Sequence, residues 1–188
     1  MLTLYFAPGA SSFAPHIALH EIGVAFEGKP MSFKQNDMRS PEFLAINPEG
    51  KVPTLIVDGR PLTEVAAILF YLARRFPEAG LLPTDDIEAE AQAVSWMSFI
   101  ASTLHPARQR GLDYAKVAYG IADRRLGNGW AIGRYSIADI HLFRLYWRLV
   151  QFVSSCARDV SESHRALRAD DGAAGGAAHD RGRKRSRI

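Results

Sequence analysis

Two adjacent hydroxyls, Ser11 and Ser12, follow the turn-forming run Ala7-Pro8-Gly9-Ala10 and precede a helical pattern. Either can cap a helix start, and a hydroxyl donor at a helix N-terminus can also stabilise an anion held there. Glu64 opens the longest uninterrupted apolar run, Val65 to Ala73, where it reads as a surface carboxylate or as the partner of a ligand cation. His105 ends a long helical pattern and reads as structural or as a reactive imidazole, while His16, on the first helix, is assigned no function. Ser136-Ile137-Ala138-Asp139 has the form of a capping box, which serves folding rather than chemistry. The single cysteine, Cys156, excludes an internal disulfide framework. No Cys or His residues cluster at ligand spacing, so the chemistry is expected to proceed without a metal.

The elements that must position these groups follow from periodicity and turn residues. Leu2-Thr3-Leu4-Tyr5-Phe6 is apolar and β-favouring and runs into the Ala7-Pro8-Gly9 turn, which predicts a buried strand. Ala14, Ile17, Ala18, Leu19 and Ile22 predict a helix that begins beside Ser11 and Ser12 and stops at Gly23. Val24 to Ser32 predicts a short second strand, weakened by Gly28 and Pro30, and Pro41 to Ile46 a short helix capped by Ser40. After the turn Asn47-Pro48-Glu49-Gly50, the segments Thr54 to Val57 and Pro61 to Thr63 flank Asp58-Gly59 as a hairpin, and a helix from Val65 to Phe76 closes the unit. The order βαβ, short helix, ββα joins a parallel crossover to an antiparallel hairpin, as in a thioredoxin-like fold.

Residues 78–84 are expected to link this unit, residues 1–77, to a second, all-helical domain over 85–153. There, Thr84 or Asp85 is expected to cap a helix running to about His105, followed by Leu112 to Leu126 and a strongly apolar helix from Ser136 to Val153. The fold class is thus an α/β domain followed by an all-α domain. From residue 154 to 188, Gly, Ala, Arg, Asp and Ser take over, which predicts a largely disordered basic tail. Residues 1–153 carry fifteen basic and fifteen acidic side chains, so the net charge of +3 resides in that tail and gives a nucleic-acid partner little support. No run approaches the roughly 20 apolar residues that cross a bilayer and no signal peptide opens the chain, so a cytosolic protein without a membrane partner is expected. Trp96, Trp130 and Trp147 read as core or pocket lining.

Three motifs, Tyr5 to His16, Asn47 to Leu55 and Leu62 to Ile68, together resemble the cytosolic glutathione transferases, most closely their bacterial beta-like branch. The resemblance covers about residues 1–152 and implies a glutathione transferase that joins the glutathione thiolate to a small hydrophobic electrophile, acting as a homodimer. It implies a cis Val52-Pro53 bond, whose bend lets the Val52 backbone pair with the cysteinyl part of glutathione. Glu64 would meet the γ-glutamyl ammonium, the helix start at Val65 its carboxylate, and Lys51 the other carboxylate. Tyr5 lies beside the position of the thiol-activating tyrosine found in many members, where this chain has Phe6. Ser11 matches the cysteine of the beta-like branch and is the first candidate to activate the thiol, with Ser12 as the second.

His105 matches a histidine placed near the sulfur, with Pro106 in place of its basic neighbour, and Val65 replaces the serine common after the motif glutamate. Two other functions remain compatible with the same fold: a glutathione-dependent peroxidase or disulfide reductase, and a non-catalytic binding or regulatory protein.

Overall fold

A computed structural model describes residues 1–151 of the chain. The predicted tail and the end of the last helix lie outside the described residues. The chain divides into two compact units, Met1–Tyr146 and Trp147–Ile188; of the second, residues 147–151 are described and are helical.

The first unit opens with strand β1 (Leu2–Phe6), helix α1 (Phe13–Ile22) and strand β2 (Glu27–Pro30). Helix α2 (Pro41–Ile46), the hairpin of β3 (Thr54–Val57) and β4 (Arg60–Thr63), and helix α3 (Val65–Arg75) follow. The four strands form one sheet in the order β2-β1-β3-β4, with β1 and β2 parallel and the other pairs antiparallel. This is the mixed topology that the sequence order implies. The hairpin turn places Asp58 and Gly59 at φ 48° and 84°, the two positive values that let a two-residue turn follow the right-handed twist of its strands. β2 is shorter than its predicted span. Pro30 cannot donate to a ladder, and the strand survives because it lies on the sheet edge.

Gly23 ends α1 in the left-handed conformation, φ 73°, and its N–H reaches the Leu19 and His20 carbonyls. At the other end the expectation of serine capping is corrected. Ser12 holds helical dihedrals and its side chain makes no cap bond, because its hydroxyl is spent on the Ala7 backbone. The first-turn N–H groups of Phe13 and Ala14 bond the carbonyls of Ala10 and Ser11 instead, at 3.2 Å each. Ser40 does cap α2, accepting from the Phe43 N–H at 3.2 Å.

Helix α4 (Ile87–Phe99) is capped by Asp86, which accepts from the Ala89 N–H at 3.0 Å, and not by the Thr84 or Asp85 expected from sequence. α4 passes without a break into a π-helical turn, Ile100–Leu104, and then into a single α-helical turn, α5 (His105–Ala107). Pro106 explains the widening: it has no N–H to give to the carbonyl four residues back, and its ring crowds that carbonyl. Helix α6 (Leu112–Leu126) follows as predicted, and residues 137–151 form the last described helix, α7.

The capping box at the start of α7 is present in modified form. Asp139 accepts from the backbone and hydroxyl of Ser136 at 3.0 and 2.9 Å and from the Ala131 N–H at 2.8 Å, while the Ser136 hydroxyl accepts from the Ala138 N–H. One core joins sheet and helices: Leu4, Leu55, Ile68 and Leu72 are continuous with Trp96, Ile100, Leu104, Ile137 and Ile140, all essentially removed from water. That burial is the main term holding the unit together, at roughly 1.5–3 kcal/mol per large apolar side chain.

Candidate functional site

A cavity of about 410 Å³ opens where the loop before β3, the start of α3 and the helices from α4 onward meet. Its first wall is a loop held rigid by Asn47, which is buried at the end of α2. The Asn47 amide donates to the Lys51 carbonyl at 2.9 Å and to the Thr54 hydroxyl at 3.0 Å, and its oxygen accepts from the Glu49 N–H at 3.1 Å. Thr54 in turn donates to the Lys51 carbonyl. Gly50 sits in this loop at φ 60°, and a Cβ there would lie 2.7 Å from the Met38 carbonyl oxygen, so only glycine fits. The Val52-Pro53 bond is cis. Ser11 donates from its hydroxyl to the Val52 carbonyl at 3.2 Å and so ties the β1–α1 loop to this wall.

Glu64 stands at the start of α3 with φ 66°, a left-handed value that costs a non-glycine residue about 1–3 kcal/mol and is found most often where function demands it. Its carboxylate is exposed and makes no cap bond. The Ile68 N–H bonds the Glu64 carbonyl at 2.9 Å, so the N–H groups of Val65 and Ala66, two residues that line the cavity, come before the first intrahelical acceptor. Lys51 and Glu49 pair at 3.1 Å on the rim, a solvated contact of little energetic weight.

The opposite wall comes from Ala101, His105 and Gln109, spaced four apart along the helical run, and from His141 on α7. The His105 imidazole is held below the ordinary histidine pKa, first by burial and then by the Arg144 and Arg108 guanidinium groups. His141 is 1% exposed and its pKa is pushed down to about 3, chiefly by burial, with His105 and Arg144 adding to it. The Nδ1 of His141 is buried with no hydrogen-bond partner among the described residues, a state that costs about 1–3 kcal/mol unless another group supplies one.

Seven of the nine residues predicted from sequence, Ser11, Lys51, Val52, Pro53, Glu64, Val65 and His105, line this one cavity. Two stand apart. Ser12 is fully buried, its hydroxyl accepting from the Ala7 N–H at 3.1 Å and donating to the Ala7 carbonyl at 3.2 Å, so it latches the turn and has no proton to offer the cavity. Tyr5 alternates to another face of β1, its ring 5.3 Å from that of Phe43 and covered by the Lys29 ammonium. The tryptophans do not line the cavity either: Trp96 is core under the Arg125 guanidinium, and Trp130 is 53% exposed. Sequence reasoning missed Asn47, Gln109 and His141. Asn47 sits in the recognised Asn-Pro-Glu-Gly turn, whereas Gln109 and His141 carry no local signal.

The model of the glutathione S-transferase N-terminal domain matches residues 1–74. Glutathione S-transferase GstA of Escherichia coli O157:H7 is 35% identical over 159 residues, which cover 76% of this chain and 79% of that one. The solved structure of a glutathione transferase homologue from Sulfitobacter, with bound glutathione, matches at 35% identity and a TM-score of 0.66, covering 77% of this chain and 80% of the other. A bacterial beta-class glutathione S-transferase from Sphingomonas chungbukensis matches at 36% identity and TM-score 0.66 over the same shares. The chain spans about half the length of several other curated relatives that it matches. With a thioredoxin-like sheet, a helical second part and a relative matched over most of both chains, the protein belongs to the glutathione S-transferase family and has bacterial beta-class members among its structural neighbours.

Proposed function

We propose that this chain binds glutathione along the Lys51–Val52 loop and the start of α3, holds its sulfur as thiolate beside Ser11, and joins it to a hydrophobic electrophile. The observation that carries the reading is the convergence of Ser11, Lys51, Val52, Glu64, Val65 and His105 on one cavity beside the cis Val52-Pro53 bond. An extended tripeptide suits this arrangement. Its cysteinyl part pairs with the Val52 backbone, its γ-glutamyl carboxylate meets the open N–H groups of α3, its ammonium meets Glu64, and Lys51 reaches the remaining carboxylate.

Reaction near neutral pH requires the thiol pKa to fall by roughly two units, about 3 kcal/mol of preference for the thiolate. Because the first turn of α1 gives its N–H groups to backbone carbonyls, the Ser11 hydroxyl carries this task, with His105 as a neutral hydrogen-bonding neighbour. The sulfur then attacks the electrophilic carbon, a C–S bond forms, and the leaving group departs with the bonding pair.

The same proposal includes a glutathione-binding domain over residues 1–77, a helical domain from 85, and a cytosolic homodimer. Retention of the purified protein on immobilised glutathione, together with conjugation of 1-chloro-2,4-dinitrobenzene followed by absorbance, tests it. No retention at millimolar glutathione rejects the reading, and turnover of disulfides without conjugation replaces it with a reductase.

A further inference from the structure

His141 has no part in the chemistry above, yet it lines the cavity, is 1% exposed, and keeps a buried Nδ1 without a partner among the described residues. Buried polar atoms in folded proteins are nearly always paired, so an unpaired one on a cavity wall points to a group that arrives with a ligand. Its place on α7 indicates which part of the ligand. Arg144 lies three residues further on, on the same helix face, and its Nε donates to the Ala10 carbonyl at 3.2 Å. Ala10 precedes Ser11, so this face of α7 packs against the loop that carries the thiol-activating hydroxyl.

The imidazole is also chemically constrained. Burial keeps it uncharged throughout the neutral range, which makes it too weak a base to remove a proton from a thiol. A neutral imidazole still donates one hydrogen bond. Such a donor suits an oxygen that is uncharged in the free substrate and gains negative charge as the reaction proceeds.

We propose that His141 determines specificity for the second substrate by donating a hydrogen bond to a carbonyl oxygen conjugated to the carbon under attack, so that the cavity favours α,β-unsaturated carbonyl compounds over alkyl halides. This rests on the glutathione reading given above. In the step itself the thiolate sulfur bonds to the β-carbon, the C=C pair shifts to the α-carbon, and the carbonyl pair moves onto oxygen as an enolate. His141 holds that oxygen without surrendering its proton, and the proton released by the thiol returns through water to the α-carbon. No oxidant or reductant enters.

Two thioethers of equal length test the proposal on the full chain by calorimetry: S-(3-oxobutyl)glutathione, the addition product that has the carbonyl, and S-butylglutathione, which lacks it. The wild-type protein is expected to bind the ketone about tenfold more tightly, the scale of one well-placed hydrogen bond, and His141→Leu to reduce that ratio to about one. His141→Gln, which keeps a donor, is expected to retain part of the preference. In turnover, His141→Leu is expected to lower kcat/KM for butenone roughly tenfold while the value for benzyl chloride changes less than about threefold. If the leucine variant does not fold, His141→Phe is read in its place.

A wild-type ratio near one, a ratio unchanged by the substitution, or equal losses for both probes overturns the proposal and leaves glutathione binding intact. Failure of the wild-type protein to bind either probe overturns the glutathione reading, and this proposal with it.

Discussion

The Ser11 hydroxyl donates to the Val52 carbonyl at 3.2 Å, bridging 41 residues of chain between the β1–α1 loop and the residue before cis Pro53. A serine hydroxyl has a single proton, so while Val52 holds it none is available to a sulfur. Under the proposed function, rotation about the Cβ–Oγ axis would turn the proton to a neighbouring thiolate, and the bond to Val52 would keep the oxygen positioned until then. The contact is a tether between the two loops and, under the proposed function, the resting state of the Ser11 hydroxyl.

Replacing Ser11 by alanine separates those roles. Ser11→Ala is expected to raise the pKa of bound glutathione by about one unit and lower kcat/KM roughly tenfold, the worth of one hydrogen bond to an anion. Thiolate absorbance in the ultraviolet, titrated against pH, reads the first effect. An unmoved titration would leave Ser11 as a tether alone.

Ser12→Ala acts on stability instead. It removes two buried hydrogen bonds to Ala7, a residue 1% exposed, and leaves the Ala7 N–H without its acceptor. A loss of about 1–3 kcal/mol is expected in urea unfolding, with a smaller fall in turnover per folded molecule than Ser11→Ala produces.

Gly50→Ala is expected to harm both stability and glutathione affinity. The backbone at φ 60° disfavours a side chain, and the added Cβ would meet the Met38 carbonyl at 2.7 Å. A loss of more than about 1 kcal/mol is expected in thermal or urea unfolding. Because Lys51 and Val52 follow directly, the shifted loop is also expected to weaken retention on glutathione resin.

Acid sensitivity has a defined sign. His141 titrates near 3 in the fold against an ordinary 6.5, so between these values the unfolded chain binds a proton that the folded chain refuses. Stability is retained above about pH 6.5 and is lost as pH falls toward 3. The slope for this group is roughly 1.4 kcal/mol per pH unit. The depressed values of His16 and His105 act in the same direction. His141→Leu is expected to flatten the acid limb of a urea-unfolding series, and an unchanged slope would assign the loss to other groups.

What was legible in the sequence depended on how local its cause was. β1, the Asp58-Gly59 hairpin, the Ser40 cap and the Gly23 stop appear where expected because each follows from a few adjacent residues. The Lys51 to Val65 part of the site was legible for a different reason: its residues lie in two short motifs whose order carries the family resemblance. Ser12 was misread because a serine before a helix signals a cap, and only the folded turn reveals that Ala7 claims its hydroxyl. His141 and Gln109 gave no signal, since their place on the cavity wall is set by how α7 and the helices before it pack in three dimensions. Trp130 reads as core or lining from sequence, but its ring packs on Tyr135, at 5.2 Å, and remains half exposed.

The π-helical turn at Ile100–Leu104 fixes the phase of everything that follows it. An α-helix turns by about 100° per residue and a π turn by less, so regular α winding over the same five residues would rotate His105 and Gln109 away from the opening. The wide turn works as a phase shifter: Pro106 loosens the helix, and the loosened helix turns one face of its remainder, with His105 and Gln109, to the cavity. Pro106→Ala, which restores a backbone donor, is expected to tighten the helix and turn the His105 imidazole out of the cavity, an outcome read from its NMR resonances.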